Sequence, residues 1–348
     1  MGECFLNSQE NRRGKVMWGW FTNVVFLKEQ MRQVDDPSYL RLLRKMREGL
    51  TDLDDYIQLV QSCMGSPEPT VDVFAPMLAR KCIVRENKIR HCVNMMQIVN
   101  FALRNSQKIV AFLASHPNLP SHMTAADAWS IMDASSTCTS PGIFWYTERM
   151  PVIITRNIHV SLGKEDIAFG FVTDPASKVY EIESHGHCKF YIVDRPPSSL
   201  LVQVNEPKHG SLEGLPPDVF PIYPSMSRVT LPAKGRARPD VGFRRIQVPC
   251  TSGFAITDYR SQGRTYEKIS VDFTTNARNL SDHKMFCSLY VALSRCKSES
   301  GVTLLAPLSS RQFFARPSDL LHQEVQRLQV LAEHTERMSC CTRPPHGM

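Results

Sequence analysis

The 348-residue sequence lacks any apolar run near the roughly 18 residues that a membrane-spanning helix needs. Its longest apolar stretches, Val24–Leu27 and Ile109–Ala114, are strand-length, so the chain is not expected to span a membrane. It lacks a C-x-x-C pair: Cys4, Cys63, Cys82, Cys92, Cys138, Cys188, Cys250, Cys287, Cys296, Cys340 and Cys341 are scattered and odd in number. Such a set fits reduced thiols in an intracellular setting rather than a disulfide framework. The N-terminus has no apolar leader, and Leu6 stands where myristoylation after Gly2 would want Ser or Thr. No repeat period is visible. With 42% hydrophobic and 22% charged residues, collagen-like, coiled-coil and wholly disordered readings are excluded.

Self-contained catalytic machinery is also missing. There is no G-x-S-x-G, H-E-x-x-H, EF-hand loop or G-x-G-x-x-G. Nor is there a G-x-x-x-x-G-K-[ST]: Gly163-Lys164 runs into Glu165 and lacks the preceding glycine, so nothing can wrap a triphosphate in backbone N–H groups. His185, His187 and Cys188 crowd one β-rich segment, where a polar hairpin is a better reading than zinc, which takes four ligands at loop-closing spacings. No metal is expected.

What is present is an uneven charge. The net charge is +7, and residues 1–60 are balanced. Between Met226 and Lys268, by contrast, Arg228, Lys234, Arg236, Arg238, Arg244, Arg245, Arg260, Arg264 and Lys268 face only Asp240, Asp258 and Glu267. A local cationic excess is the footprint of a polyanion, although a solvated face is the commoner reason for one.

Along the chain, Asp36-Pro37 opens a helix with Leu40, Leu43 and Met46 inward and Gly49 as its stop. Thr51 to Asp54 reads as a capping box for a second helix through Leu59. A third amphipathic segment starts near Asn87, with Ile89, Val93, Met96 and Leu103 on one face, and a buried strand follows at Gln107–Ala114. Asn23–Leu27 reads as a strand before them, which gives an α/β alternation. From Pro151 to Val248 short β-rich runs recur between Pro and Gly, as expected of a small β-barrel or sandwich inserted into the α/β unit. Strands return at Phe254–Thr257, Ile269–Phe273 and Gly301–Leu305, and a closing helix carries Leu321, Val325, Leu328 and Leu331.

Two segments carry chemistry. Ala255-Ile256-Thr257-Asp258-Tyr259-Arg260-Ser261-Gln262-Gly263-Arg264-Thr265 leaves a buried strand for a polar turn whose N–H and hydroxyl groups suit phosphate. Tyr290-Val291-Ala292-Leu293-Ser294-Arg295 is a helix end from which Arg295 emerges, by itself an ordinary C-terminal cation. In this order they resemble motifs V and VI of superfamily 1 DNA helicases of the Pif type (petite integration frequency). The resemblance runs over nearly the whole chain. Leu27-Lys28-Glu29-Gln30-Met31-Arg32-Gln33 with Asp35-Asp36-Pro37 is similar to motif IV. Pro151 to Asn157 with Gly163 and Ala168-Phe169-Gly170 resembles the start of the family's β-barrel insertion, and Arg245 to Pro249 its return. Gly214-Leu215-Pro216 with Val219 to Pro224 looks most like fungal and Helitron relatives.

The resemblance implies a RecA-like (P-loop NTPase-type) C-terminal helicase domain with an inserted small β-barrel. The implied division is 1–140 and 250–312 for the RecA-like domain, 141–249 for the barrel, and 313–348 for a C-terminal helix and tail. It implies ATP-dependent 5′ to 3′ DNA unwinding in an intact protein, serving repair, recombination or telomere maintenance. The family's P-loop, with the acid that binds magnesium, belongs to another lobe, which is expected to be missing here. Arg32 and Arg295 are then arginine fingers, and Gln262, Gly263 and Thr265 border the nucleotide. Thr257, Tyr259, Arg260 and Ser261 inherit contacts to single-stranded DNA. Tyr259 stands where many relatives have His, and either stacks on a base or is packed. ATP and magnesium are expected to bind only if another chain supplies the P-loop half. The expected partners are single-stranded or duplex-junction DNA and that half, with no membrane; a nuclear location follows from the family. The rival readings are a nucleotide-independent single-strand DNA binding module and an inert transposon-derived fragment. Lys234, Arg236 and Arg238 are a second candidate for backbone contact, where a solvated loop is the better reading.

Overall fold

The computed structural model describes residues 9–63, 80–131, 140–156, 166–182, 188–204, 212–231, 241–273 and 280–338. Gly163, His185, His187, Lys234, Arg236 and Arg238 lie outside them. The helices are α1 (Gln9–Gly19), α2 (Pro37–Glu48), α3 (Leu53–Cys63), α4 (Asn87–Arg104), α5 (Ala125–Ser130), α6 (Asp258–Ser261), α7 (Asp282–Leu293), α8 (Ser310–Phe313) and α9 (Asp319–Met338). The strands are β1 (Lys81–Val84), β2 (Ile109–Leu113), β3 (Ile143–Tyr146), β4 (Pro151–Ile154), β5 (Asp166–Val172), β6 (Val179–Ile182), β7 (Phe190–Val193), β8 (Ser199–Gln203), β9 (Val219–Ile222), β10 (Ser225–Leu231), β11 (Val241–Gln247), β12 (Cys250–Ser252), β13 (Ala255–Thr257), β14 (Ile269–Asp272) and β15 (Val302–Leu304). Contacts divide them between two compact units, 1–67 with 258–348, and 68–257. Among the described residues no helix is long and apolar enough to cross a membrane.

In the first unit, Asp36 caps α2 by accepting the Tyr39 N–H, and Gly49, at φ +72°, closes it in the left-handed conformation that favours glycine. The buried stripe is Tyr39, Leu42, Leu43 and Met46, one step round from the expected Leu40. The capping box of α3 is likewise one residue later than expected. Asp52 and Asp55 exchange backbone N–H bonds, and Lys45 bridges both carboxylates. β14 and β15 are parallel, with Ile269 opposite Val302.

The strand expected at Asn23–Leu27 does not form. Among the described residues no strand pairs with that run. It lies against α9 instead, with the Val24 N–H on Thr335 Oγ1, the Trp18 indole on Glu324, and Lys28 on Glu336. Leu27 is consequently 93% exposed.

The second unit pairs β1 with β13 in parallel, Ile83 opposite Ile256. Helix α4 packs on them, but its buried face is Arg90, Val93, Asn94, Gln97, Ile98 and Ala102, while Met96 and Leu103 are exposed. Polarity explains the difference: Asn94 is drawn inward because its amide oxygen takes the Ala255 N–H at 2.8 Å. Around β2 lies a sheet of order β3-β2-β7-β6, and a second sheet has the order β12-β4-β5-β8-β9. Phe112, Phe144, Met150, Val152, Leu200 and Val202 form the core these strands share, with Phe171 edge-on to both Phe112 and Tyr146.

Among the described residues these sheets are open, without the closed ring of a barrel. The reason lies in the partners. β3 and β7, inside the 141–249 insertion that the resemblance implies, hydrogen-bond to β2, and β12 hydrogen-bonds to β4, so pairing runs across positions 140/141 and 249/250. β10 and β11 form a two-stranded antiparallel ribbon.

Candidate functional site

Helix α7 ends at Leu293, leaving its last carbonyls without partners from the helix itself. Side chains from the first turn of α2 and from the segment before it cover them. The Tyr39 hydroxyl donates to Leu293 O at 2.8 Å, Arg32 Nη1 donates to Ser294 O at 2.9 Å, and Gln33 Nε2 donates to Ser294 O and to Cys296 O. Asp36 fixes this segment from its other end by also accepting the Glu299 N–H. Burial acts to raise the pKa of Asp36, but the N–H groups of Tyr39 and Glu299 and the Ser38 hydroxyl hold it below the usual carboxylate value.

Arg295 folds back over the same turn. Its Nε donates to Val291 O at 3.0 Å and its Nη2 to Ser294 Oγ at 2.8 Å. It does act as a cation at a helix C-terminus, as its position suggests. Yet Arg32 and Arg295 also converge on one residue, Arg32 on the carbonyl of Ser294 and Arg295 on its hydroxyl. Burial, and then the neighbouring Arg32, push the Arg295 pKa below its ordinary value. Among the described residues neither guanidinium pairs with a carboxylate, and Nη2 of Arg32 and Nη1 of Arg295 have no protein partner. Two oriented cations without a counter-charge form an anion site.

The loop after β13 borders that site. Arg32 Nε donates to Thr265 Oγ1 at 2.8 Å, so Thr265 joins the cluster directly. Gln262 is exposed, and Gly263 has φ +77° with open space where a side chain would stand. Tyr259 is 81% exposed, which decides between its two readings: it is not packed. Arg260 beside it is also exposed.

Thr257 and Ser261 differ. Thr257 is buried at the end of β13, opposite Val84, and Ser261 is fully buried with its hydroxyl donating to Asp258 O at 2.6 Å. Ser261 is closed off from solvent and Thr257 is only 8% exposed, so their side chains offer a ligand far less surface than Tyr259 or Arg260. Asp258, next to Tyr259, is buried too. It accepts the Tyr259 N–H and the Ser288 hydroxyl, and so ties the loop to α7.

The sequence reading passed over Gln33, Tyr39, Ser294 and the Asp258–Ser288 bond. Gln33 directly follows Arg32, but nothing in the sequence distinguishes a buried amide from a solvated one. Among the described residues no group of His, Cys, Asp or Glu is placed to hold a metal. Among the described residues no disulfide joins Cys82, Cys92, Cys188, Cys250, Cys287 or Cys296 to another. The two guanidiniums and the Thr265 hydroxyl suit an anionic group, and among the described residues no cluster of His, Cys, Asp or Glu accompanies them to hold a metal.

No known family profile matches this sequence, and no curated protein matches it. Solved structures do. Pif1 helicase from Candida albicans has TM-score 0.53 and 17% identity, over 86% of this chain and 60% of that one. Pif1 helicase from Bacteroides in complex with ADP-AlF3 and ssDNA has TM-score 0.54 and 14% identity, over 93% and 64%. Bacteroides Pif1 bound to ssDNA has TM-score 0.54 and 15% identity, over 92% and 63%. The chain therefore has a mixed α/β fold shared with Pif1 helicases, and spans about 60% of their length. Fungal and bacterial structures match equally, so the likeness does not favour fungal relatives.

Proposed function

We propose that this chain is the arginine-bearing lobe of a Pif-type superfamily 1 DNA helicase, RecA-like with an inserted β-rich segment, and that it turns over no ATP by itself. One observation carries the reading: Arg32 and Arg295, 263 residues apart by number, meet on Ser294 beside Thr265, with no carboxylate among the described residues to neutralise them. In phosphoryl transfer a protein contributes mainly positioning and charge, which is what two fixed guanidiniums supply. Bound ATP with magnesium would bring the reacting phosphate. Arg32 and Arg295 would face its terminal oxygens, and Gln262, Gly263 and Thr265 would border it. Tyr259 and Arg260 are the residues of the loop that can reach DNA, the first by stacking and the second by charge. Thr257, Ser261 and Asp258 hold that loop in shape.

The test is ATP turnover by the purified chain with magnesium and single-stranded DNA. No turnover is expected until a polypeptide carrying a P-loop is added. Turnover by the chain alone that disappears in Arg295→Ala would overturn the proposal. The exposure of Tyr259 and Arg260 favours a second reading, a DNA-binding module that needs no nucleotide. It predicts oligonucleotide binding that Tyr259→Ala weakens and that Arg32→Ala and Arg295→Ala leave alone. A transposon-derived, inactive origin rests on Gly214-Leu215-Pro216 and its neighbours only, and predicts neither activity.

A further inference from the structure

The ribbon of β10 and β11 places Arg228 directly opposite Arg244. Like charges directly opposed across strands are unfavourable. This pair is also of the closer kind. The Arg244 N–H points away from β10, onto Asn118 Oδ1 at 2.8 Å, so positions 228 and 244 do not exchange backbone hydrogen bonds and their side chains lie nearer each other. Residues on either side are turned the other way: Val229 and Phe243 are buried against Ala128, and Arg245 is fully buried. The two arginines thus share the outer face.

Position 242 shows where Arg228 goes. A Cβ on Gly242 would meet the Arg228 guanidinium at 3.3 Å from Nη2 and 3.4 Å from Nε, so Arg228 lies flat across the ribbon over β11. The absent side chain at Gly242 makes room for it. Together these residues line a surface cavity of about 530 Å³ with Asn118, Met226 and Ser227, and among the described residues none that lines it is acidic. A third arginine adjoins it, since Arg156 Nη2 donates to Met226 O at 3.2 Å. No ion pair joins Arg228 or Arg244 to a carboxylate among the described residues.

We infer that the Arg228–Arg244 cavity is a phosphate site that takes the backbone of a nucleic-acid strand. Arg228 and Arg244, neither joined to a carboxylate among the described residues, share one face with a side-chain amide beside them, and guanidinium donors of this kind match the geometry that phosphate oxygens accept. The cavity is far larger than a lone phosphate ion and open at the surface, as tracking a chain of phosphates requires. The inference rests on the nucleic-acid reading proposed above, but uses residues that reading does not involve.

The experiment uses the full chain in two arms. In the first, a labelled single-stranded oligonucleotide is titrated by fluorescence anisotropy at several chloride concentrations, with Arg228→Gln/Arg244→Gln, Gly242→Val and Arg260→Gln beside the unaltered protein. The slope of log affinity against log salt should fall by about 0.7 for each phosphate no longer neutralised. It should fall in the double arginine variant and in Gly242→Val, which keeps both charges but displaces Arg228. Circular dichroism confirms folding of each variant. In the second arm, inorganic phosphate is titrated at matched ionic strength while the amide resonances of Gly242 and Arg244 are followed. Phosphate-dependent shifts that vanish in the double variant are expected.

An unchanged salt slope in both ribbon variants overturns the strand as occupant, even where phosphate still shifts the amides. Absence of both effects overturns the site. If Arg260→Gln has no effect while the ribbon variants do, the loop assignment fails and the ribbon site stands.

Discussion

Two arginine pairs in this chain are built in opposite ways. Arg32 and Arg295 are each held through two atoms of the guanidinium fork, on a carbonyl and a hydroxyl in each case, before any ligand arrives. Arg228 and Arg244 face each other across a ribbon on its exposed side, and neither is held by a carboxylate among the described residues. A charge fixed in advance costs no reorganisation when a reacting phosphate develops negative charge, which is the requirement for catalysis. A loosely held charge adapts to successive phosphates and screens readily with salt, which is the requirement for sequence-independent grip. The difference is one of local support, since both pairs have the same chemistry.

The largest effect should come from breaking the fixed pair. Once DNA-dependent ATP turnover has been established with an added P-loop polypeptide, Arg32→Ala and Arg295→Ala are each expected to lower kcat by about 10³-fold. Arg228→Gln and Arg244→Gln should leave kcat alone and raise the DNA concentration needed for half-stimulation. Equal losses of kcat at both pairs would erase the distinction between them.

The next effect sharpens the comparison within the ribbon itself. Arg245 is fully buried next to exposed Arg244, and its guanidinium donates to the carbonyls of Ala128, Ile131 and Ser140 and to His116 Nε2. Arg245→Met leaves these acceptors buried and unpaired, and is expected to cost about 3 kcal/mol of unfolding free energy in urea titrations. Arg244→Gln should stay within about 0.5 kcal/mol of the unaltered protein. The same cluster predicts a pH dependence. Burial, and then the charge of Arg245, push the His116 pKa down to about 4. In the unfolded chain His116 takes up its proton nearer the ordinary value of about 6.5, so the unfolded state binds more protons between those limits. Stability should therefore fall as pH drops from about 6.5 towards 4, and His116→Asn should flatten that slope.

Elements with their own punctuation were legible from the residues. Asp36-Pro37 and Gly49 bracket α2, and β2, β5, β8 and β11 lie where short apolar runs stand between turn residues. The elements missed depend on distant partners. β1 opens with Lys81, and is a buried strand because β13 pairs with it. Asn23–Leu27 has strand composition, yet without a pairing partner among the described residues it forms no regular element and, Val24 apart, stays exposed. At the site, the order of the residues pointed to Arg32, Arg295 and Thr265, which the structure brings together. It could not separate the exposed Tyr259 and Arg260 from the buried Thr257 and Ser261, because four polar residues in a turn look alike until the turn is folded.

Tyr259→Ala is the third test, and of intermediate size. If the ring stacks on a base, its loss should weaken oligonucleotide binding by about 1–3 kcal/mol with little change in salt slope, because stacking carries no charge. Arg260→Gln should do the reverse, reducing the slope with a smaller loss of affinity at high salt. A matching pair of effects at both positions would mean that the loop touches DNA through one kind of contact only.

The smallest effect is a difference in sign. Arg228 opposes a like charge, so Arg228→Gln should relieve repulsion and stabilise the protein, by roughly 0.2–1 kcal/mol at low salt. The gain should shrink as salt is added, since both side chains are exposed and screened. Arg32→Gln should act oppositely. Although it too removes a neighbouring like charge, from Arg295, it also takes a donor from Ser294 O at the end of α7, and a lost hydrogen bond to a charged donor outweighs a screened repulsion. Chemical denaturation of the two variants at low and high salt reads both signs in one experiment. Should Arg228→Gln also destabilise, and by an amount that salt does not change, Arg228 would have a fixed partner, and the ribbon pair would belong to the same kind as Arg32 and Arg295.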